Sequence, residues 1–158
     1  MGHILEGAGS PNGQGGTQDV TVAVHPNRTI RRRNPRDQGV IGVGDAVAWF
    51  TARGYHVSVP LIDNQPYDLV VDDGRALHRV QVKTTTTTSR YGIYVVALCT
   101  SGGNQSFSTR TPFDPEACDL LYVLTDARDR YLIPTEAIVG RNTLNLGERM
   151  DRYRLADD

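Results

Sequence analysis

The chain has 158 residues, a formal net charge of −1 and 39% hydrophobic residues, which suits one domain with a core of its own and removes any global electrostatic case for a nucleic-acid partner. No apolar run approaches the roughly 20 residues of a membrane-spanning helix. With no secretory signal in "MGHILEGAGS", Cys99 and Cys118, which lack metal-ligand spacing, read as reduced thiols of a soluble, cytoplasmic protein without a membrane partner.

Residues 1–37 differ in kind from the rest. "GAGSPNGQGG" has the composition of a flexible arm, and "TVAVHPN" alternates weakly, like a short edge strand. "RTIRRRNPR" then packs Arg28, Arg31, Arg32, Arg33 and Arg36 into nine residues. A basic block beside a flexible tail suits phosphate contact, which makes Arg31, Arg32 and Arg33 candidate phosphate-binding residues; a solvated linker is the alternative.

Residues 38–158 read as the globular domain. "VIGVGDAVAWFTARG" puts Val40, Val43, Val47 and Phe50 on one face at helical spacing, with Gly54 as the stop. Tyr55 to Val59 is a short strand. "PYDLVV", the turn "DDGR" and "ALHRVQVKT" form a hairpin, since Asp-Gly between two alternating segments is a strong hairpin signal. "GIYVVALCT" is near-continuously apolar and is expected to be a central strand buried on both faces. "GGNQSFSTRTPFDPEA" is a polar loop, "CDLLYVLTD" and "RYLIPT" are two further strands, and "PTEAIVG" opens a helical turn capped by Thr135.

The hairpin carries the chemistry. With Asp73 and Gly74 central, Asp68 faces Arg79, and Asp68, Gln81 and Lys83 share one side while Leu69, Val71, Val80 and Val82 share the other. Lys83 is the chain's single lysine against sixteen arginines. A carboxylate and an amide oxygen are hard donors suited to Mg²⁺. An adjacent ammonium can orient or deprotonate an attacking water, for which a permanently charged arginine is a poor base. On the residues alone, a plain cross-strand ion pair is the alternative.

The order "YDLVVDDGRALHRVQVKT" resembles the PD-(D/E)xK nuclease superfamily, in the branch of group I intron-encoded homing endonucleases and related phage and bacterial nucleases, whose second motif reads QxK as Gln81-Val82-Lys83 does. Gly39, Ile41 and Gly42 match its "GxIG" helix signal, Gly54-Tyr55 its "GY", and the similarity spans about Gln38 to Val139. The resemblance implies an α/β fold with an αβββαβ core, a mixed central sheet flanked by helices, and Mg²⁺-dependent hydrolysis of double-stranded DNA, with Mn²⁺ as a substitute. Carried over, Asp68 and Gln81 are metal ligands, and Asp68, Gln81 and Lys83 are catalytic, with the Thr84 hydroxyl a candidate hydrogen-bond donor to a phosphate. Cutting both strands with one site per chain implies at least a homodimer. The family's helix glutamate falls at Val43, and Asp45 is two residues on, expected to face solvent. With one formal charge at the metal, the second reading is a nuclease fold that binds DNA and cuts it weakly or not at all.

Overall fold

The computed structural model describes residues 30–62, 64–102, 109–111 and 113–156. Its one α-helix among these residues, α1 (Pro35–Ala52), starts where the Asn34 side chain accepts the Asp37 N–H at 2.8 Å and Pro35 takes the first position, an arrangement that supplies a partner to an otherwise orphaned N–H. It ends at Gly54, whose φ of +82° closes the C-terminal turn. The buried row is Gly42, Ala46 and Phe50, with Val43 and Val47 on its flank. Val40, expected on the packed face, is 67% exposed. The small residues let α1 lie against the sheet: a Cβ on Gly42 would come within 2.2 Å of Thr84 Oγ1 and 3.2 Å of Val82 Cγ1.

The strands in chain order are β1 (His56–Ser58), β2 (Leu69–Asp72), β3 (Leu77–Thr85), β4 (Val95–Ala97), β5 (Thr100–Gly102), β6 (Thr109–Thr111), β7 (Leu120–Thr125), β8 (Arg130–Pro134) and β9 (Thr143–Asn145). Five of them make the central sheet in the order β1-β2-β3-β7-β8. Only the β3–β7 pair is parallel, so the sheet is mixed, as expected. The connection from β3 to β7 runs, among the described residues, through β4 and the β5–β6 pair instead of a helix. The segment 103–108 of the expected polar loop lies outside the described residues.

Two cores sandwich this sheet. On the α1 side Ile30, Phe50, Leu69, Val80, Tyr122 and Leu124 pack together. On the other side Val96, Leu98, Leu121, Val123, Ile133 and Leu144 do so. The doubly buried central strand is therefore β7, whose residues Leu121 to Thr125 are all buried. "GIYVVALCT" is not that strand: it supplies β4, which pairs with β9 in a separate two-stranded sheet and covers the second face. An apolar run reports burial, and a strand laid over a sheet is buried as well as one inside it. The Thr135 hydroxyl does not cap its turn (Thr135–Ile138) but donates to the carbonyls of Cys118 at 2.8 Å and Pro115 at 3.1 Å.

Of the segment 1–37 expected as an arm, residues 1–29 lie outside the described residues. The remainder belongs to the fold, because Ile30 is 1% exposed in the α1-side core and the helix begins at Pro35. No described helix is long and apolar enough to cross a membrane.

Candidate active site

The β2–β3 register pairs Leu69 with Val80 and Asp72 with Leu77, and the Asp68 N–H donates to Val80 O at 2.9 Å. Asp68 therefore stands opposite Gln81, not Arg79, two residues from the register expected. The cause is the loop. Asp73 Oδ1 accepts the N–H groups of Arg75 and Ala76, both at 2.8 Å, and Asp72 Oδ1 accepts that of Gly74 at 2.8 Å. These side-chain bonds close a four-residue connection where two residues were expected. A slip of two preserves which face each side chain takes, so Asp68, Gln81 and Lys83 still share a side, opposite the residues packed on α1.

The three side chains differ in how they are held. Asp68 Oδ2 accepts the Val82 N–H at 2.6 Å and the Gln81 Nε2–H at 3.3 Å. Its Oδ1 and the Gln81 amide oxygen take no hydrogen bond among the described residues. Lys83 is half-buried and has neither a hydrogen bond nor an ion pair among the described residues. Burial lowers its pKa from the ordinary lysine value, and the nearby negative charge of Asp68 opposes that shift without cancelling it.

Each flank of this cluster opens into a cleft. Lys83 lines one of about 220 Å³ with Gln38, Thr85, Val95 and Thr143, at the C-terminal end of β3. Asp68 lines one of about 250 Å³ with Val43, Val59, Leu61, Ile62 and Tyr67. Val43, where the resemblance places a glutamate, thus borders the same space as Asp68. Leu61 is 100% exposed and Ile62 64% exposed, so the rim of that cleft is apolar and open.

For a divalent ion the donor set is a partial fit. No group of three His, Cys, Asp or Glu residues converges among the described residues. The free oxygens of Asp68 and Gln81 are hard donors of the kind Mg²⁺ and Mn²⁺ accept, with water and a substrate phosphate left to complete the shell.

Neighbouring polar residues have been recruited elsewhere. Asp45, expected to face solvent, points inward: it accepts from Tyr122 Oη at 2.7 Å and from Arg130 Nε and a terminal guanidinium nitrogen, both at 2.9 Å, and its side chain is 12% exposed. Burial alone would raise its pKa, but the Arg130 and Tyr122 bonds outweigh it and hold the carboxyl below its usual 3.8. Thr84, a candidate hydrogen-bond donor to phosphate, lines the Lys83 cleft, but its hydroxyl is buried under Gly42 on the α1 side, since adjacent strand residues point to opposite faces. Arg79 is held by Asp119, through its N–H at 2.7 Å and its guanidinium at 2.9 and 3.2 Å. Arg31 donates to Asp126 at 2.7 Å while keeping a 60% exposed side chain, and Arg33 is exposed; the Arg32 side chain lies outside the described residues. Burial pushes the Cys118 thiol up to about 11, so it stays protonated at neutral pH.

Sequence reasoning missed Asp119, the Asp45 clamp and the lining of the Asp68 cleft from Val59 to Tyr67. Their partners are 40, 77 and 85 residues distant in the chain for Arg79–Asp119, Asp45–Tyr122 and Asp45–Arg130, and no local pattern encodes such a meeting. The one usable signal was the loop's composition, where Val59, Leu61 and Ile62 are too apolar for a solvated connection.

The family model for PD-(D/E)XK endonucleases matches residues 33–154. A bacterial homing endonuclease, I-Ssp6803I, is similar in structure at a TM-score of 0.68 with 26% identity, covering 77% of this chain and 89% of its own. The structure of MepB matches at a TM-score of 0.42 with 16% identity over 71% of this chain and 95% of its own. No curated protein matches the chain.

Proposed function

The chain belongs to the PD-(D/E)XK endonuclease family, and from that premise we propose that it is a divalent-metal-dependent endonuclease acting on double-stranded DNA. The observation that carries this reading is the unpaired, half-buried Lys83 beside Asp68 and Gln81. Nucleases of this family generally use divalent metals, and similarity to a bacterial homing endonuclease supports DNA as the substrate.

Asp68 and Gln81 would hold Mg²⁺, or Mn²⁺ in its place; the ion supplies Lewis-acid polarisation of the phosphate and neutralises its charge. Val82's N–H and the Gln81 amide fix the Asp68 carboxylate, so its second oxygen is presented without rotamer search. Lys83 orients the attacking water. Its lowered pKa raises the neutral fraction able to take that water's proton, a role arginine cannot fill. Arg31, Arg32 and Arg33 lie next to the start of α1 and are proposed to contact phosphate, Arg31 through the part of its guanidinium that Asp126 leaves exposed. Cutting both strands would take two chains.

A second reading, a DNA-binding module with little cleavage, is favoured by Val43, an apolar side chain at the edge of the Asp68 cleft. Plasmid nicking with Mg²⁺ or Mn²⁺ separates the two. The first reading expects nicking in the native protein, at least about 100-fold slower in Lys83→Ala and lost in Asp68→Asn, which keeps an acceptor for the Val82 N–H but removes the charge. Equal nicking by native protein and Lys83→Ala would reject the catalytic role, and an inert native protein that still binds duplex would establish the second.

A further inference from the structure

We propose that Arg141 and Arg149 form a phosphate-binding subsite for the DNA strand that passes Lys83, a few nucleotides from the scissile bond. The proposal rests on the nuclease reading and extends it to a part of the chain outside the D…QxK hairpin.

The link between the two places is β9. Leu144 is 1% exposed, so its neighbours Thr143 and Asn145 both face outward from the same edge. Thr143 lines the Lys83 cleft. Asn145 lines another cleft, of about 260 Å³, with Arg141, Gly147, Glu148, Arg149 and Met150. Residues two apart on a strand are separated by about 7 Å, about two steps of the 3.4 Å rise of a single DNA strand. A strand with a phosphate at Lys83 that follows β9 therefore reaches the second cleft within a few nucleotides.

The chemistry of that cleft suits a phosphodiester. Arg141 and Arg149 are exposed and have no carboxylate partner among the described residues. Arg31, Arg79, Arg130 and Arg154 are each held by an aspartate, and what sets Arg141 and Arg149 apart from other exposed arginines such as Arg33, Arg36, Arg75 and Arg152 is the cleft they share. Glu148 is the cleft's single acid, which leaves the lining with a net positive charge. Two guanidinium groups present planar forks matched to phosphate oxygens, and the Asn145 amide adds a neutral donor. Surface arginines that merely solvate a turn have no need to share a cleft, nor to adjoin the catalytic one through a single strand.

The test is the salt dependence of duplex binding by the full-length protein, followed by fluorescence anisotropy in EDTA so that cleavage does not interfere. Each phosphate contact contributes about 0.9 to the slope of log K against log salt. The Arg141→Ala/Arg149→Ala pair is expected to flatten the slope by about 2, with an unchanged melting temperature, while Arg141→Lys/Arg149→Lys retains most of it. An Ala pair with the native slope overturns the subsite and leaves the nuclease reading standing. An equal fall in the Lys pair also overturns it, because the salt slope counts phosphates neutralised by charge, which lysine keeps even though it loses the fork. Native protein that binds no duplex in EDTA overturns the subsite, and if it also fails to nick plasmid with Mg²⁺ or Mn²⁺ the nuclease reading falls with it.

Discussion

Asp45 and Asp68 sit on opposite faces of one sheet and have opposite fates. Asp45, on the α1 side, is saturated by Arg130 and Tyr122, and its bonds span the helix, β7 and β8. Asp68, on the other side, has one oxygen engaged and a lysine nearby with no partner among the described residues. A carboxylate with both oxygens engaged and its counter-ion bound stabilises structure and has little left to offer a ligand. A carboxylate half-satisfied next to a desolvated cation is costly to fold around, and such sites recur where chemistry is done. Both are partly buried aspartates near a basic residue; the count of satisfied acceptors separates them.

Breaking the clamp should produce the largest change in stability. Asp45→Ala leaves Arg130 and the buried Tyr122 hydroxyl without their acceptor and is expected to cost about 3 kcal/mol, read by urea unfolding, while nicking per folded molecule stays near native. An equal loss of activity would mean the two faces are coupled. Gly42→Ala follows, at about 2 kcal/mol, because the added methyl meets Thr84 Oγ1 and Val82 between helix and sheet. A neutral result would show that α1 can shift outward at little cost.

Val43→Glu sharpens the comparison from the other side. It adds a second carboxylate to the cleft of Asp68 and is expected to tighten Mn²⁺ binding by about tenfold, ~1.4 kcal/mol, measured by calorimetry. If stability falls and affinity does not rise, the helix position does not reach the ion. The smallest effect is in the pH dependence. The Asp45 carboxyl titrates below its ordinary 3.8 when folded, so its contribution to stability is complete above that value and disappears as pH falls through the folded pKa. Acid unfolding of Asp45→Ala should accordingly lose a proton-linked component that Asp68→Asn retains.

Much of the architecture was legible from local pattern. The helix, the hairpin and the two later strands follow from periodicity and turn residues, and the grouping of Asp68, Gln81 and Lys83 follows from alternation along β2 and β3. That grouping outlasted a register error, since the four-residue loop closed by Asp73 moved the pairing by two positions and an even slip leaves faces intact. Burial was less legible. "GIYVVALCT" looked central and is a covering strand, Val40 looked packed and is exposed, and Ile30, in a basic stretch read as an arm, is in the core.

The amino-acid order by itself determined the elements, the side of the hairpin on which an acid, an amide and the lone lysine emerge, and the family likeness those residues carry. The tertiary structure alone decided which charges are consumed in holding the fold and which remain available, because ion-pair partners 40 to 85 residues apart meet only after the sheet has assembled. Local propensity acts over a few residues, whereas the satisfaction of a buried charge depends on whatever the completed fold brings within hydrogen-bonding distance.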